Sequence, residues 1–317
     1  MRALGAIDGR LLVVTDFDGT LSPIVRDPMA ARIEPGARSA LRRLARFAAT
    51  DPGRLSLVVL SGRAASDVAR RVRVGGIRYL GNHGLESGLL RRGVPAERVQ
   101  VSPDLTIGQG GVGTPDSADV AAFGAELRDR LGHPDWLFVE DKGPSVAFHF
   151  RQADDPAAAR AAVLAALDGS GRAGRLADGR PIPALERLEG RQVVELRPAG
   201  AGGKGAAMGR LIASERPRAI LTMGDDVSDA EAFQAVIAAR EVAPTPGRPP
   251  TDGLVVAVHG RAETPADVLA AADLLVAAPR DAARVLAELA RVLIDAADRG
   301  AADRGAADRS AAGRLPG

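Results

Sequence analysis

The sequence predicts an α/β fold: a doubly wound parallel-sheet core with an inserted α+β domain. The first observation is a set of short, mostly apolar runs that end in glycine or polar residues, as strands buried on both faces do. These runs cover residues 11–14, 55–60, 77–80, 219–223, 254–258 and 274–276. The second is a set of helical patterns between them, over residues 37–49, 64–72, 205–213, 229–239 and 281–294. Strand and helix in alternation are typical of a doubly wound sheet.

The middle of the chain indicates the inserted domain, because there the strands and helices no longer alternate. Its predicted elements are a hairpin of strands 136–141 and 145–151, a helix over 156–167 and a strand over 191–197. From residue 296 the unit Ala-Ala-Asp-Arg-Gly recurs with a period of five, which gives neither a helical nor a strand face; we expect this tail to be disordered. The predicted parts are core (1–88), inserted domain (89–197), core (198–295) and tail (296–317).

Composition excludes several classes of function. The 317 residues include no cysteine, which excludes disulfides, thiolate catalysis and metals held by cysteine. Basic residues are not gathered into a block with aromatic side chains, so nucleic-acid binding is not expected. The apolar run at residues 11–14 is far too short for a signal peptide or a membrane span. We expect a cytoplasmic protein without a membrane or nucleic-acid partner.

Lysine usage is unusual. Only two of the 42 lysine and arginine residues are lysines, Lys142 and Lys204. A site that needs a compact ammonium group would retain lysine where arginine has replaced it elsewhere. Chance survival of two lysines explains the composition equally well, and composition alone leaves both interpretations open.

Acidic residues follow two of the predicted buried strands. Asp16 and Asp18 come directly after the first strand, and Asp225, Asp226 and Asp229 follow the strand at 219–223. Charge at the end of a buried strand is costly without a counter-charge, and the carboxyl ends of parallel strands meet at one sheet edge. Carboxylate oxygens suit Mg²⁺. An isolated Asp-x-Asp would more often be a turn or a helix cap, but two such clusters together predict a shared magnesium site.

Four motifs in this order resemble those of the haloacid dehalogenase (HAD) phosphotransferase superfamily. They are Asp16-Phe17-Asp18-Gly19-Thr20, Ser61 in Leu60-Ser61-Gly62-Arg63, Lys204, and Gly224-Asp225-Asp226-Val227-Ser228-Asp229. The resemblance implies a HAD core, a cap formed by the inserted domain, and a phosphatase with Mg²⁺ as its cofactor.

The same resemblance implies roles for single residues. Asp16 would attack phosphorus to form an aspartyl-phosphate, and Asp18 would be the general acid and base. Mg²⁺ would be held by Asp16, the Asp18 carbonyl and Asp225, and Asp229 would support the metal or orient Lys204. Whether Asp226 or Asp229 touches the metal stays open. The phosphoryl oxygens would contact a set of polar groups: Thr20, Ser61, Gly62 and Lys204.

A narrower resemblance, to trehalose-6-phosphate phosphatases, includes segments of the inserted domain. It is carried by residues 17–25, by Gly81-Asn82-His83-Gly84-Leu85-Glu86, and by residues 139–151 and 190–198. It implies hydrolysis of trehalose 6-phosphate, with Glu140, Lys142 and Glu195 of the cap bound to sugar hydroxyls. Asn82, His83 and Arg63 would be possible cleft residues. One departure is Gly203, which stands where the family often has Asp before Lys204 and puts the positioning of that lysine in question.

Other functions remain to be distinguished. The nearest alternative is a HAD phosphatase of another sugar phosphate, such as sucrose 6-phosphate or a mannosyl- or glucosylglycerate phosphate. A signalling receiver module shares a phosphorylated aspartate and a lysine but lacks the second aspartate and the cap. A catalytically idle partner of a trehalose synthase is disfavoured by the intact Asp16, Asp18, Lys204 and Asp225. The resemblance to trehalose-6-phosphate phosphatases also implies a possible functional link to trehalose-6-phosphate synthase.

Overall fold

A computed structural model gives the structure of the protein. It describes residues 7–25, 27–103, 117–169, 178–179, 184–190, 192–199, 202–244, 250–260 and 264–312. The chain forms two compact units. The first contains Met1–Ser61, Ala65–Val101 and Gly203–Gly317, and the second contains Gly62–Ala64 and Ser102–Gly202.

The first unit is built on an eight-stranded sheet of order β12-β11-β10-β1-β2-β3-β4-β5. Its strands are β1 (Leu11–Thr15), β2 (Leu55–Leu60), β3 (Ile77–Gly81), β4 (Glu86–Leu90), β5 (Gln100–Pro103), β10 (Ala219–Gly224), β11 (Asp252–Val258) and β12 (Leu274–Val276). The strands β12, β11, β10, β1, β2 and β3 pair in parallel, and β4 pairs with β3 in the antiparallel sense. The carboxyl ends of β1, β2 and β10 therefore share one edge.

Helices cover both faces of this sheet. They are α1 (Pro35–Thr50), α2 (Ala65–Val72), α5 (Lys204–Glu215), α6 (Val227–Glu241), α7 (Ala266–Ala271) and α8 (Pro279–Ala312). Alternate residues of β1 point to opposite sides: Leu11 and Val13 pack with α1, α2 and α8, whereas Leu12 and Val14 pack with α5, α6 and α7. Burial on both faces explains why the strands read as continuous apolar runs. The predicted α/β fold class, a doubly wound core with an inserted α+β unit, is confirmed.

The second unit is a four-stranded antiparallel sheet of order β6-β7-β9-β8, with two helices. Its elements are α3 (Ser117–Arg130), β6 (Phe138–Asp141), β7 (Val146–His149), α4 (Pro156–Asp168), β8 (Leu185–Gly190) and β9 (Val193–Pro198). The helices pack on one face of the sheet, where Phe148 and Val194 contact Val120 of α3 and Val163 of α4 in one buried cluster. Residues of opposite parity on these strands point to the other face.

Two sequence-based expectations differ from the structure. The core sheet continues past residue 88, because β4 and β5 extend it to Pro103. The expected disordered tail is wrong for residues 296–312, since α8 runs on to Ala312. Three of every five residues in the repeat are good helix formers, Ala and Arg, and this local propensity outweighs the lack of an apolar face. Residues 104–116 lie outside the described residues. Within the described part of the chain, no helix is both long and apolar enough to cross a bilayer.

Candidate active site

Three carboxylates meet at the carboxyl edge of the core sheet. Asp16 follows β1 and is buried, Asp225 follows β10 and is half-buried, and Asp229 is buried in the first turn of α6. Each offers one oxygen, and these oxygens lie within 4.8 Å of one another. The Asp16 amide donates to the Met223 carbonyl at 2.9 Å, which joins the two strand ends directly. The predicted meeting of acidic strand ends is therefore present in the structure.

Two glycines allow the carboxylates to approach. Gly19 has a φ of +81°, and a Cβ built on it would lie 2.0 Å from Asp225 Oδ2. A Cβ on Gly224 would lie 2.2 Å from Asp229 Cγ. Neither position tolerates a side chain without displacing an acid of the cluster. Thr20, in the same turn as Gly19, is buried and its hydroxyl donates to Asp225 Oδ1 at 3.3 Å.

Lys204 is the counter-charge of this cluster. It is the first residue of α5, is buried, and donates from Nζ to Asp16 Oδ1 at 2.6 Å and to Asp229 Oδ1 at 2.8 Å. The second oxygen of Asp229 accepts the backbone N–H groups of Asp225 and Asp226 at 3.1 and 3.2 Å. Both oxygens of Asp229 are thus engaged within the protein. Asp226 is the exposed N-cap of α6, where its Oδ1 accepts the Val227 amide.

The charges of the cluster perturb one another. Burial raises the pKa of Asp16 well above its usual value, and the negative charges of Asp229, Asp225 and Asp18 add to the effect that Lys204 opposes. Burial alone would lower the pKa of Lys204, but the charges and hydrogen bonds of Asp16 and Asp229 outweigh it and raise that pKa. Lys204 is therefore a permanent cation, and the three carboxylates around it leave an excess of negative charge. Oxygen donors with such an excess fit a small divalent cation.

Ser61 and a strained turn lie beside the cluster, at the ends of β2 and β3. Ser61 is buried, and its backbone N–H donates to the Leu80 carbonyl at 2.9 Å while its carbonyl accepts the His83 amide at 2.9 Å. Asn82, His83 and Gly84 all have positive φ values, of 50°, 57° and 96°. Such conformations are costly for residues other than glycine and persist where their surroundings hold them.

Two further contacts hold this turn. Glu86 Oε2 accepts the Ala65 amide at the start of α2 at 2.9 Å, and Arg210 of α5 donates to the Gly84 carbonyl at 3.0 Å. Burial raises the pKa of Glu86, although hydrogen bonds from Ala65 and Asn82 oppose the rise. Glu86 ends the motif at residues 81–86, but the sequence motifs contain no signal for Arg210, which is found only from its contact.

The second unit carries its own polar cluster, on the sheet face opposite its helices. Glu140 of β6 pairs with Ala147 of β7, and Ala147 pairs with Glu195 of β9, so the two carboxylates lie in one row across three strands. His149 lies two residues beyond Ala147 on the same face, and its Nε2 is 2.9 Å from Glu140 Oε2. This row joins residues that are far apart in the chain.

Lys142 completes the second cluster. Its Nζ donates to Glu195 Oε2 at 2.7 Å and to the carbonyl of Gly62, which belongs to the same unit, at 3.2 Å. Burial acts to raise the pKa of Glu140, but the hydrogen bond of His149 and the charges of Lys142 and Arg63 outweigh it and lower that pKa. Two carboxylates here face Lys142, Arg63 and one histidine, so acidic and basic groups are close to balanced.

The predicted site residues thus fall into two groups. The core unit brings together Asp16, Asp18, Thr20, Ser61, Asn82, His83, Lys204, Asp225 and Asp229 at the ends of its strands. The second unit contains Gly62, Arg63, Glu140, Lys142 and Glu195. Asp18 is half-buried and lies outside the group of three acids whose oxygens converge. Gly203 is the N-cap of α5 without a side-chain hydrogen bond, yet Lys204 still reaches both of its carboxylates.

Comparison with known proteins identifies the family. The family model described as trehalose-phosphatase matches residues 14–98 and 124–248. The trehalose-phosphate phosphatase of Mycobacterium bovis (strain BCG / Pasteur 1173P2) is 36% identical over 245 residues, which cover 74% of this chain and 55% of the relative. The chain belongs to the trehalose-phosphatase family. It spans about half the length of the curated relatives that it matches.

Solved structures of this trehalose-phosphatase family share the fold. The C-terminal domain of the trehalose-6-phosphate phosphatase of C. albicans superposes with a TM-score of 0.64 at 20% identity, covering 91% of this chain and 94% of that domain. The C-terminal domain of the Candida albicans trehalose synthase regulatory protein gives a TM-score of 0.55 at 13% identity, covering 90% of this chain and 96% of that domain. Because a phosphatase and a regulatory protein share this fold, the fold alone does not decide between the two functions.

Proposed function

We propose that the protein is a Mg²⁺-dependent phosphatase that hydrolyses trehalose 6-phosphate to trehalose and phosphate through an aspartyl-phosphate. The observation that carries this proposal is the group formed by Asp16, Asp225 and Asp229 around Lys204, in a chain of the trehalose-phosphatase family. A regulatory partner without catalysis would have no need for three buried or half-buried carboxylates beside one lysine, because such a cluster is costly to keep.

Asp16 is the nucleophile in this proposal. Its carboxylate attacks phosphorus, the bond from phosphorus to the sugar oxygen breaks, and Asp18 gives a proton to the departing oxygen. Asp18 then removes a proton from a water molecule that attacks the aspartyl-phosphate, which releases phosphate and restores Asp16. Both steps depend on positioning and charge neutralisation more than on further covalent chemistry.

The residues present fit a bound Mg²⁺. Asp16, Asp225 and the Asp18 carbonyl would hold it, and when bound it neutralises negative charge on the phosphoryl group. The Gly19 turn keeps Asp225 close to Asp16, as any Cβ at residue 19 would collide with that acid. Asp229 is assigned to Lys204 and to the backbone of residues 225 and 226, because both its oxygens already accept hydrogen bonds there.

The phosphoryl oxygens need donors, and four residues offer them. Lys204 is the cation, fixed by Asp229 at the first turn of α5, where a helix N-terminus also favours an anion. Thr20, Ser61 and the backbone of Gly62 would complete the set. Since Lys204 stays protonated, it stabilises the anion in both chemical steps without supplying a proton.

Glu140, Lys142 and Glu195 would bind the sugar. Carboxylates accept hydrogen bonds from hydroxyls, and an ammonium group donates to several oxygens. Their near-balanced charges suit a neutral disaccharide, since they offer polar contacts without attracting a free anion or metal. Asn82, His83 and Arg63 are proposed as further residues of the substrate cleft.

The test is phosphate release from a panel of sugar phosphates, measured with Mg²⁺ and after chelation. Trehalose 6-phosphate should give the highest kcat/KM, and chelation should abolish turnover. Equal rates on sucrose 6-phosphate and glucosylglycerate phosphate would contradict the trehalose assignment but leave a sugar phosphatase. Turnover that continues in the absence of any divalent cation would contradict the metal site. No turnover on any of them would favour an idle partner of a trehalose synthase.

A cytoplasmic location and a functional link to trehalose-6-phosphate synthase stay predictions. The link follows from the proposed substrate, which a synthase must supply. Fractionation of cells and co-purification with a synthase would test them.

A further inference from the structure

A basic pocket lies in the core unit, away from the acidic cluster. It has a volume of about 440 Å³ and is lined by four arginines: Arg42, Arg46, Arg73 and Arg92. Its lining includes Gly75, just before the amino end of β3, whereas the acidic cluster lies at the carboxyl ends of β1 and β10. The pocket is thus at the opposite edge of the sheet and takes no part in the proposed chemistry.

The pocket is strongly positive because its arginines outnumber its acids. Glu97 is the one acidic residue in the lining. None of the four arginines forms an ion pair within the part of the chain that the structure describes. Elsewhere in the same region arginines do find acidic partners, such as Asp67 for Arg71 at 2.8 Å. The lining therefore has guanidinium groups available for an external anion.

The arrangement of charge along α1 also has an energetic cost. Arg38, Arg42 and Arg46 follow one another at i, i+4 spacing, and like charges at this spacing repel. Burial lowers the pKa of the Arg38 guanidinium, and the charges of Arg42 and Arg73 lower it further. Arg38 itself is committed to the carbonyls of Val72 and Arg71 at the end of α2. An anion between Arg42 and Arg73 would relieve this repulsion.

The shape and chemistry of the pocket restrict the class of ligand that it can bind. Its volume falls within the range of small-molecule sites, and guanidinium forks match phosphate oxygens. The lining contains no aromatic side chain on which a nucleobase could stack, and its apolar residues are small or aliphatic, such as Ala45, Val74 and Leu90. Four arginines exceed what a single phosphate requires.

We propose that this pocket binds a small metabolite that carries two phosphate groups, as a site separate from the acidic cluster. Arg42 and Arg46, one turn apart on α1, contact one phosphate. Arg73 and Arg92 reach the other from the end of α2 and from the segment after β4. The pocket only binds this ligand, and no covalent step is proposed there.

The test uses pyrophosphate as the probe and titration calorimetry on the full chain, at constant ionic strength and without divalent cation. The variant Arg42→Gln/Arg92→Gln removes two pocket arginines. Its control, Arg43→Gln/Arg91→Gln, removes the same charge from exposed residues one position away on the same two segments, neither of which lines the pocket. Thermal unfolding of both variants checks that they fold alike.

We expect the pocket variant to weaken pyrophosphate binding by about 100-fold, or tenfold for each arginine lost, and the control to change it less than threefold. Orthophosphate should bind at least tenfold more weakly than pyrophosphate. Both variants should keep the basal rate of sugar-phosphate hydrolysis. Unchanged binding in the pocket variant, or an equal loss in both variants, would overturn the proposal and leave only general electrostatic attraction. The binding result does not depend on the proposed phosphatase activity, so either can fail alone.

Discussion

The two lysines of the chain lie in two clusters that differ in their balance of charge. Lys204, in the core unit, contacts Asp16 and Asp229 at 2.6 and 2.8 Å, and Asp225 is the third acid of that cluster. Lys142, in the second unit, contacts Glu195 at 2.7 Å, in a cluster whose acids are matched by Arg63 and His149. The first cluster has negative charge in excess, whereas the second is nearly neutral.

This difference teaches what each cluster is suited to bind. Excess carboxylate charge in a buried or half-buried place is costly unless a proton or a further cation offsets it, so the first cluster favours binding of a cation. A balanced set of donors and acceptors gains little from an ion but can exchange hydrogen bonds with hydroxyl groups. This difference supports the proposal, in which the core unit carries the charged chemistry and the second unit binds a neutral sugar.

The largest expected effect comes from Asp16→Asn. The amide keeps the size of the side chain but is a poor nucleophile, so kcat should fall by on the order of 10⁴-fold or more. Phosphate release from trehalose 6-phosphate measures it. The control Asp252→Asn changes an exposed acid at the start of β11 and should retain the rate. Turnover in Asp16→Asn within tenfold of the unchanged protein would refute covalent catalysis by this residue.

The next effect is stabilisation by Mg²⁺. If the core cluster lacks a cation, then Mg²⁺ at about 100 times its dissociation constant should raise the free energy of unfolding of the core unit by about 2.7 kcal/mol. Thermal unfolding with Mg²⁺ and with chelator measures the difference. Asp225→Asn should abolish most of this response, and Asp252→Asn should keep it. An equal response in both variants would show that the ion binds elsewhere.

A smaller effect is expected from Lys142. Lys142→Ala should raise the KM for trehalose 6-phosphate about tenfold, since charge-assisted hydrogen bonds to the sugar are lost. The variant also leaves Glu195 buried without its partner, which costs stability. The double variant Lys142→Ala/Glu195→Gln should recover stability but not KM. Recovery of both would mean that Lys142 acts only through folding, whereas an unchanged KM in Lys142→Ala would remove it from the sugar site.

The smallest effect is the pH dependence due to Glu140. Its pKa is lower in the folded protein than in the unfolded chain, so its stabilising contribution is present above the unfolded value of about 4.3 and is lost as pH falls through the folded value. Because about one third of this side chain is exposed, the effect should stay below about 1 kcal/mol. Chemical denaturation of the unchanged protein and Glu140→Gln should differ at pH 7 and converge near pH 3. A difference that grows on acidification would reverse the assigned sign.

The meeting of Asp16 and Asp225 could be predicted from the sequence because each of these two acids follows directly on a buried apolar strand. Parallel strands bring their carboxyl ends together, so Asp16 and Asp225 are expected to meet even though more than 200 residues separate them. To predict this meeting it is sufficient to recognise the two strands, and an error of a residue or two in where each strand ends does not change the prediction. The hydrogen bonds of Asp229 to Lys204 and to the backbone could not be predicted. Which groups its two oxygens contact depends on how α6 is rotated about its axis.

The second cluster and the basic pocket could not be predicted as clusters from the sequence. Glu140 and Glu195 align through Ala147 only in one register of β6, β7 and β9, and a shift by one residue would turn them to the other face. β4 has little alternation, with sequence Glu-Ser-Gly-Leu-Leu, and was missed for that reason. The pocket draws Arg42, Arg73 and Arg92 from separate segments of a chain in which arginine is common throughout.

The absence of a side chain at Gly19 has a practical consequence. A methyl group there would occupy the space of the Asp225 carboxylate, 2.0 Å away, while leaving every reacting group of the protein chemically intact. A cell that carries Gly19→Ala would therefore contain the folded chain, with the second cluster and the basic pocket unaltered, but with the ends of β1 and β10 pushed apart. Such an allele would distinguish two kinds of cellular requirement. A phenotype caused by Gly19→Ala would report loss of the chemistry, whereas a phenotype seen only when the gene is deleted would report loss of the chain itself.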